Sequence, residues 1–238
     1  IKNNLSNRKI FLHFWAHKGY WYYGAEREKQ EVEMFKKLVS EGDDVLEVGG
    51  HIGYISQCFE ELIGDAGTLV VVEPSPENIK LLRKNIKNNS ILIESAASDS
   101  NGNCELFVEK NGGFTNTIST KFINHLTDTS SHYRSRGAQR RSVKVKTQTI
   151  DTICSDMNFR PNFLKIDVEG AELQVLLGAK STLQAVEAAM VEVTFSSDEI
   201  VQLMAKYNLK PFFPSGDPIL TSDAMIGNVF FIKDDRMK

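Results

Sequence analysis

The chain has 238 residues, 41% hydrophobic and 25% charged, which excludes a disordered or fibrous protein and leaves enough length to bury roughly 70% of the unfolded surface without disulfide staples. Its 28 basic and 31 acidic side chains give a formal charge of -3, so a general attraction to nucleic acid or to an anionic membrane surface is excluded. The longest apolar runs, at 69–72 and 229–232, fall far short of the roughly 20 residues that span a bilayer, and membrane insertion is not expected.

Residues 1–25 read as an N-terminal segment or lid, with Phe11, Phe14 and Trp15 expected in the core or on an oligomer face, as in a homodimer. His13 and His17 interrupt this stretch and no small-residue cleavage site follows, so it does not read as a secretory leader. From residue 26 to residue 238 the pattern predicts one domain. Val32, Phe35, Leu38 and Val39 make an apolar stripe that predicts a helix over 28–40. A strand over 44–48, a helix over 54–62, a strand over 68–72, a helix over 76–87 and a strand over 91–94 follow. This alternation is that of a doubly wound, Rossmann-like α/β sheet.

The stretches 104–108 and 142–147 look half-exposed and predict an inserted β-hairpin, about 104–147, whose polar tip reads as a mobile loop. Strands over 163–168 and 189–193 alternate with helices over 171–183 and 197–207. The strands predicted over 209–213 and 228–232 have no helix between them, so an antiparallel pair at a sheet edge is expected. Cys58, Cys104 and Cys154 are odd in number and form no Cys-x-x-Cys pair, which suits reduced thiols in a cytoplasmic protein.

Three motifs carry chemistry. Glu47-Val48-Gly49-Gly50-His51-Ile52-Gly53 lies between the first strand and its helix, where a doubly wound sheet opens its ligand crevice. A dinucleotide fingerprint needs glycine where this chain has His51 and Tyr54, and Glu47 would repel a pyrophosphate while attracting a cation. S-adenosylmethionine is such a cationic, phosphate-free nucleotide. Glu73, with Pro74 behind it, ends the second strand, where a carboxylate can accept both hydroxyls of a ribose. In 163–172, strand alternation puts Lys165 and Asp167 on one side, and Asp167 and Glu169 emerge over the crevice. Glu172 reads as a helix-capping acid, and Lys165 as an inward or sheet-edge lysine paired with an acid.

Taken together, the run 43–53, the segment 72–78, Ala96-Ala97-Ser98-Asp99, the string Lys165-Ile166-Asp167-Val168-Glu169-Gly170-Ala171-Glu172 and Val191-Glu192-Val193 resemble the FkbM family of S-adenosylmethionine-dependent methyltransferases, over roughly residues 19–213. The resemblance implies a class I methyltransferase fold with a seven-stranded, mostly parallel sheet and an antiparallel edge strand. It also implies O-methylation of a small molecule, sugar or natural-product intermediate. It puts Glu47 and Gly49, with the rest of their loop, Gly50, His51 and Gly53, at the methionine end of the donor. It puts Glu73 and Pro74 at the ribose, Ala96 and Ala97 beside the adenine, and Asp167 near the transferred methyl. A segment at the position of Tyr23 and Glu26 touches the methionine portion in such enzymes. Where the family has Asp and then Ala-Asn, this chain has Glu47 and Gly50-His51.

A hydroxyl acceptor needs a base as its bond to carbon forms, and Asp167, Glu169, Glu192 and His51 are available. Asp167 and Glu169 are favoured because they share a loop; His51 is the imidazole alternative. The carboxylates raise Mg²⁺ as a further cofactor, but no fixed loop of oxygen ligands is visible and no metal site is assigned. Arg134, Arg136, Arg140, Arg141, Lys144 and Lys146 form a basic stretch that is either a solvated loop or a cover for an anionic or carrier-bound acceptor. Nucleic acid is not expected, for want of an Asn-Pro-Pro-aromatic string. A cofactor-binding scaffold without catalysis and an NAD-dependent oxidoreductase are the competing readings.

Overall fold

Residues 1–23, 28–109, 114–129, 140–221, 225–234 and 236 are described by the computed structural model. In chain order, α1 (Gly19–Tyr22) and α2 (Lys29–Leu38) precede β1 (Val45–Val48), α3 (Tyr54–Ile63), β2 (Leu69–Val72), α4 (Pro76–Asn85) and β3 (Ile91–Ile93). The insertion contributes β4 (Ala96–Ala97), β5 (Gly102–Glu109), α5 (Thr120–Thr129) and β6 (Arg140–Gln148). Then come α6 (Ile150–Asp156), β7 (Phe163–Ile166), α7 (Glu172–Leu177), α8 (Thr182–Ala185), β8 (Ala188–Val193), α9 (Ser197–Ala205), β9 (Lys210–Phe212) and β10 (Gly227–Ile232).

Seven strands form one sheet in the order β3-β2-β1-β7-β8-β10-β9, and β4-β6-β5 form a second, smaller one. The central strands β1, β2 and β7 are buried along their whole length, which is why each reads as a short continuous apolar run rather than an alternating one. Alternation sends Leu46, Val48, Val70, Val72, Leu164 and Ile166 into the apolar layer on one face. Val45, Leu69, Val71 and Phe163 enter the layer on the other face, with Phe35 and Phe59. The fold class therefore agrees with expectation, including the antiparallel pair at the edge: β10 runs against both β8 and β9. The predicted hairpin is present as the antiparallel pairing of β5 with β6, and β4 extends it in parallel with β6.

Some expectations are corrected. The helix foreseen over 171–183 is two helices, α7 and α8. A Cβ at Gly178 would lie 2.2 Å from the Ser98 carbonyl oxygen, so the backbone passes hard against the second sheet there. Asp151 then accepts from Ser181 N at 2.9 Å and Thr182 N at 2.8 Å, starting a new helix. Helix α6 went unforeseen although Thr149 caps it through Thr152 N. Phe11, Phe14 and Trp15 are not core residues: each is about half exposed or more. Residues 1–23 nevertheless pack into the body, with Ile10 and Tyr20 in the apolar layer and the buried Asn3 side chain donating to the Tyr54 carbonyl at 2.9 Å. No helix among the described residues is long and apolar enough to cross a membrane.

Candidate active site

The chain leaves β1 for β2 and β3 on one side and returns through β7 on the other. This reversal opens a crevice at the carboxyl ends of β1, β2 and β7. The loop after β1 bends into it. Gly49 N and Gly50 N both donate to the Val72 carbonyl, at 2.9 and 3.3 Å, and Asp167 N donates to the Val48 carbonyl at 3.0 Å. Gly49 has φ +87°, and a Cβ there would meet the Asp167 carbonyl oxygen at 1.8 Å. Glycine is thus required by the neighbouring strand, not only by a ligand. His51 also adopts a left-handed conformation, with φ 49°.

Strand register decides which acids meet. Glu47 is aligned with Lys165 across β1 and β7, so the two buried side chains share a face, with Lys165 Nζ 3.7 Å from Glu47 Oε1. Two residues on, Asp167 Oδ2 accepts from the same ammonium at 3.1 Å, and the Gly49 carbonyl lies 3.4 Å away. Burial works against the Lys165 charge, but Asp167 and Glu47 outweigh it and hold its pKa above the usual lysine range. Burial likewise pushes Asp167 up, and Lys165 overcomes that and keeps this carboxyl below its ordinary value. Glu47 goes the other way: burial raises its pKa to about 7 despite Lys165 and a hydrogen bond from Ser56.

Glu73 ends β2, only 4% exposed. It accepts from His51 N at 2.9 Å, Ser75 N at 2.9 Å and Asn78 Nδ2 at 3.2 Å. Burial outweighs these three donors and lifts its pKa to about 7. A carboxylate so enclosed, with no cationic side chain among those bonds, suits a ligand that brings hydroxyl donors of its own.

At the outer end of the crevice, Asp167, Glu169 and Glu192 each offer a carboxylate oxygen, all within 4.8 Å of one another. Burial and then the Asp167 charge push Glu169 well up; for Glu192 the Asp167 charge is the larger cause and burial the second. Three hard oxygen donors also suit a divalent cation, so this is where the described residues would hold one. Glu172 is a buried first-turn acid, but it does not cap the helix: it accepts at 2.7 Å from Gly170 N, which precedes the helix, while Ala171 holds the N-cap position.

Of the residues singled out in the sequence, Glu47, Gly49, Gly50, His51, Glu73, Pro74, Ala96, Ala97, Asp167 and Glu169 all line this one crevice. Gly53 does not line it; the space for its missing Cβ is bounded by Leu82 and Asn85. Tyr23 is 62% exposed and also stands away from the crevice, because the single turn of α1 turns Tyr20 inward instead. Tyr20 Oη lies 2.8 Å from His51 Nδ1 and fixes that ring. Glu26 and the basic positions Arg134 and Arg136 lie outside the described residues. Arg140 binds the Thr115 carbonyl and hydroxyl at 2.6 and 2.8 Å, and Arg141 pairs with Glu77.

Sequence reasoning looked for a cover in residues 1–25 and in the basic stretch, and missed Phe114 and Thr117. The segment after β5 crosses the crevice: the Phe114 ring lies 4.8 Å from that of His51, and Thr117 Oγ1 donates to the Glu169 carbonyl at 2.7 Å. No local pattern marks these residues, because their role comes from where the insertion folds back.

The residues fit S-adenosylmethionine, a cationic nucleotide without phosphate, on the structure's own evidence: a buried carboxylate, Glu73, at the carboxyl end of β2, a glycine loop pressed against the next strand, and the Glu47 and Asp167 carboxylates in the same crevice. Comparison with known proteins agrees. A family model described as the methyltransferase FkbM domain matches residues 47–211, more than half of the chain. Among solved structures, methyltransferase FkbM from Methylobacillus flagellatus KT superposes with a TM-score of 0.50 at 13% identity, covering 84% of this chain and 50% of that one. Precorrin-6y C5,15-methyltransferase from Geobacter metallireducens GS-15 gives a TM-score of 0.50 at 9% identity, covering 98% of this chain and all of that one. At such identities these structures establish the fold alone, and the chain spans half the length of the Methylobacillus protein. A search of curated protein sequences finds no significant match.

Proposed function

Because the chain belongs to the FkbM methyltransferase family, whose cofactor is S-adenosylmethionine, we propose that it methylates an oxygen, hydroxyl or carboxylate, of a small-molecule, sugar or carrier-bound acceptor. When bound, the cofactor supplies a methyl group on a positively charged sulfur. Glu73 would hold the ribose hydroxyls, and the Gly49–His51 loop, backed by Glu47, would hold the methionine end. Lys165 keeps Asp167 ionised and fixed over the crevice mouth, so that Asp167 can take the proton of an acceptor hydroxyl as its oxygen bonds to carbon. Glu169 and Glu192 stand beside it to share that proton. Phe114 and Tyr20 exclude water from the approach line, and approach geometry supplies most of what a methyl transfer needs.

The observation that carries this reading is that Asp167, ion-paired with Lys165 at 3.1 Å, has the Glu169 and Glu192 carboxylates within 4.8 Å in the crevice that Glu73 and Glu47 also line. A hydroxyl is the acceptor for which such a base matters. The test is a panel of hydroxyl, carboxylate and amine acceptors offered with methyl-labelled donor to the wild type and Asp167→Asn. Label on oxygen, reduced about 10²–10⁴-fold by the substitution for hydroxyl acceptors, is expected. Label on nitrogen or carbon alone refutes the oxygen assignment. Saturation by a pyridine nucleotide, with no heat from adenosyl sulfur compounds, refutes the methyl donor.

A further inference from the structure

We propose that Thr117 is a positioning residue for methyl transfer: with Glu172 on the opposite side, it clamps the peptide between Glu169 and Gly170 and so holds the Glu169 carboxylate beside Asp167 and Glu192. The catalytic meaning of this clamp rests on the reading of the crevice as a methyl-transfer site. The carbonyl of that peptide accepts from Thr117 Oγ1 at 2.7 Å, and its N–H donates to Glu172 Oε1 at 2.7 Å. Both clamping side chains are buried, Thr117 to 1% exposure and Glu172 to 2%.

The backbone here requires such a clamp. Glu169 has φ 56° and Gly170 φ 92°, two left-handed residues in succession. Glycine adopts that conformation freely, whereas a glutamate returns to right-handed or extended backbone unless its surroundings hold it. A peptide bound at both its oxygen and its nitrogen does not turn, so the backbone at Glu169 keeps the direction that brings its carboxylate oxygen within 4.8 Å of those of Asp167 and Glu192. Once released, the peptide turns and the Glu169 side chain swings away from the other two acids.

Thr117 is itself held. Its N donates to the Phe107 carbonyl at 3.2 Å, and its carbonyl accepts from Phe107 N at 2.9 Å, which ties it to β5. Its Oγ1 also accepts from Ser119 N at 2.8 Å, which leaves the hydroxyl hydrogen for the Glu169 carbonyl. A second contact from the same insertion closes on the turn: a Cβ on Gly170 would lie 2.7 Å from Phe122 Cβ of α5. The insertion therefore sets the geometry of the acids, besides covering the crevice.

The experiment is a carbon-NMR titration of the glutamate side-chain carboxyls in wild type, Thr117→Val, Thr117→Ala and Thr117→Ser, with Glu169 assigned from the signal lost in Glu169→Gln. In place, the Glu169 carboxyl faces Asp167, Glu172, Glu192 and Glu109 and the cation Arg140, and burial and then Asp167 hold its midpoint well above the ordinary glutamate value. Valine keeps the shape of threonine without its hydroxyl, so Thr117→Val is expected to lower that midpoint by at least about one pH unit, Thr117→Ala to do the same, and Thr117→Ser to leave it at the wild-type value. S-adenosylhomocysteine should bind every one of these proteins within about twofold of wild type by calorimetry. With the hydroxyl acceptor that turns over fastest in the labelled-donor panel, Thr117→Val should lower kcat about 10- to 100-fold at unchanged KM, and should slow Glu169→Gln no further. A midpoint that stays put in folded Thr117→Val and Thr117→Ala, or an equal loss of kcat in the wild-type and Glu169→Gln backgrounds, overturns the assignment while the donor site stands. If S-adenosylhomocysteine gives no heat with wild type, the methyl-transfer reading falls and the positioning role with it, whatever the titration shows of the clamp.

Discussion

Replacing Glu73 by Gln tests the electrostatics of the crevice through the stability of the unliganded protein. The carboxyl is 4% exposed, and burial lifts its pKa from 4.5 to about 7. Because the folded protein holds this proton more tightly than the unfolded chain, the contribution of Glu73 to stability is greatest below pH 4.5 and is lost as pH rises through 7. Integrated between pH 5 and pH 8, that displacement corresponds to about 2.5 kcal/mol of wild-type stability lost through this one group. Glutamine does not titrate, so the difference in unfolding free energy between Glu73→Gln and wild type should move by about 2.5 kcal/mol in favour of the variant over the same interval. The offset at any one pH is less telling, since the amide turns an N–H toward one of three donors at a cost of about 1–3 kcal/mol. Urea unfolding at the two pH values, followed by tryptophan fluorescence and by circular dichroism, provides the measurement. A change below about 0.5 kcal/mol would mean that Glu73 is solvated as an ordinary carboxylate, and the argument from its enclosure would fail.

Lys165→Met should destabilise the fold by about 3–5 kcal/mol, because Glu47 and Asp167 lose their shared counter-charge, and adding Glu47→Gln should restore part of it in urea titrations at pH 7. Gly49→Ala forces a methyl into the Asp167 carbonyl oxygen and a strained φ; a loss of at least about 2 kcal/mol and of S-adenosylhomocysteine binding is expected by thermal shift and calorimetry. Tyr20→Phe removes the phenol that meets His51 Nδ1, and should change stability by about 1 kcal/mol while shifting the His51 imidazole resonances in an NMR pH titration.

The elements that chain chemistry makes by itself were legible early. The apolar runs of β1, β2 and β7, the stripe on α2 and the glycine loop after β1 are local signals, and burial of both sheet faces follows from them. Glu47, Glu73 and Asp167 stood out because each ends or nearly ends such a strand, and strand ends are where a doubly wound sheet opens. Even the pairing of Lys165 with an acid could be read from alternation.

What tertiary structure alone decided is every contact between segments distant in the chain. Parallel register, not spacing, sets Glu47 beside Lys165, 118 positions away. The Ser98 carbonyl, packed against Gly178, divides a stretch whose periodicity reads as one helix. The turn of α1 chooses Tyr20 over Tyr23, and the fold-back of the insertion brings Phe114 against His51. Periodicity reports which side of an element is apolar, whereas two side chains from separate elements meet only once the packing of the layers between them has fixed a distance, and no local pattern encodes that distance.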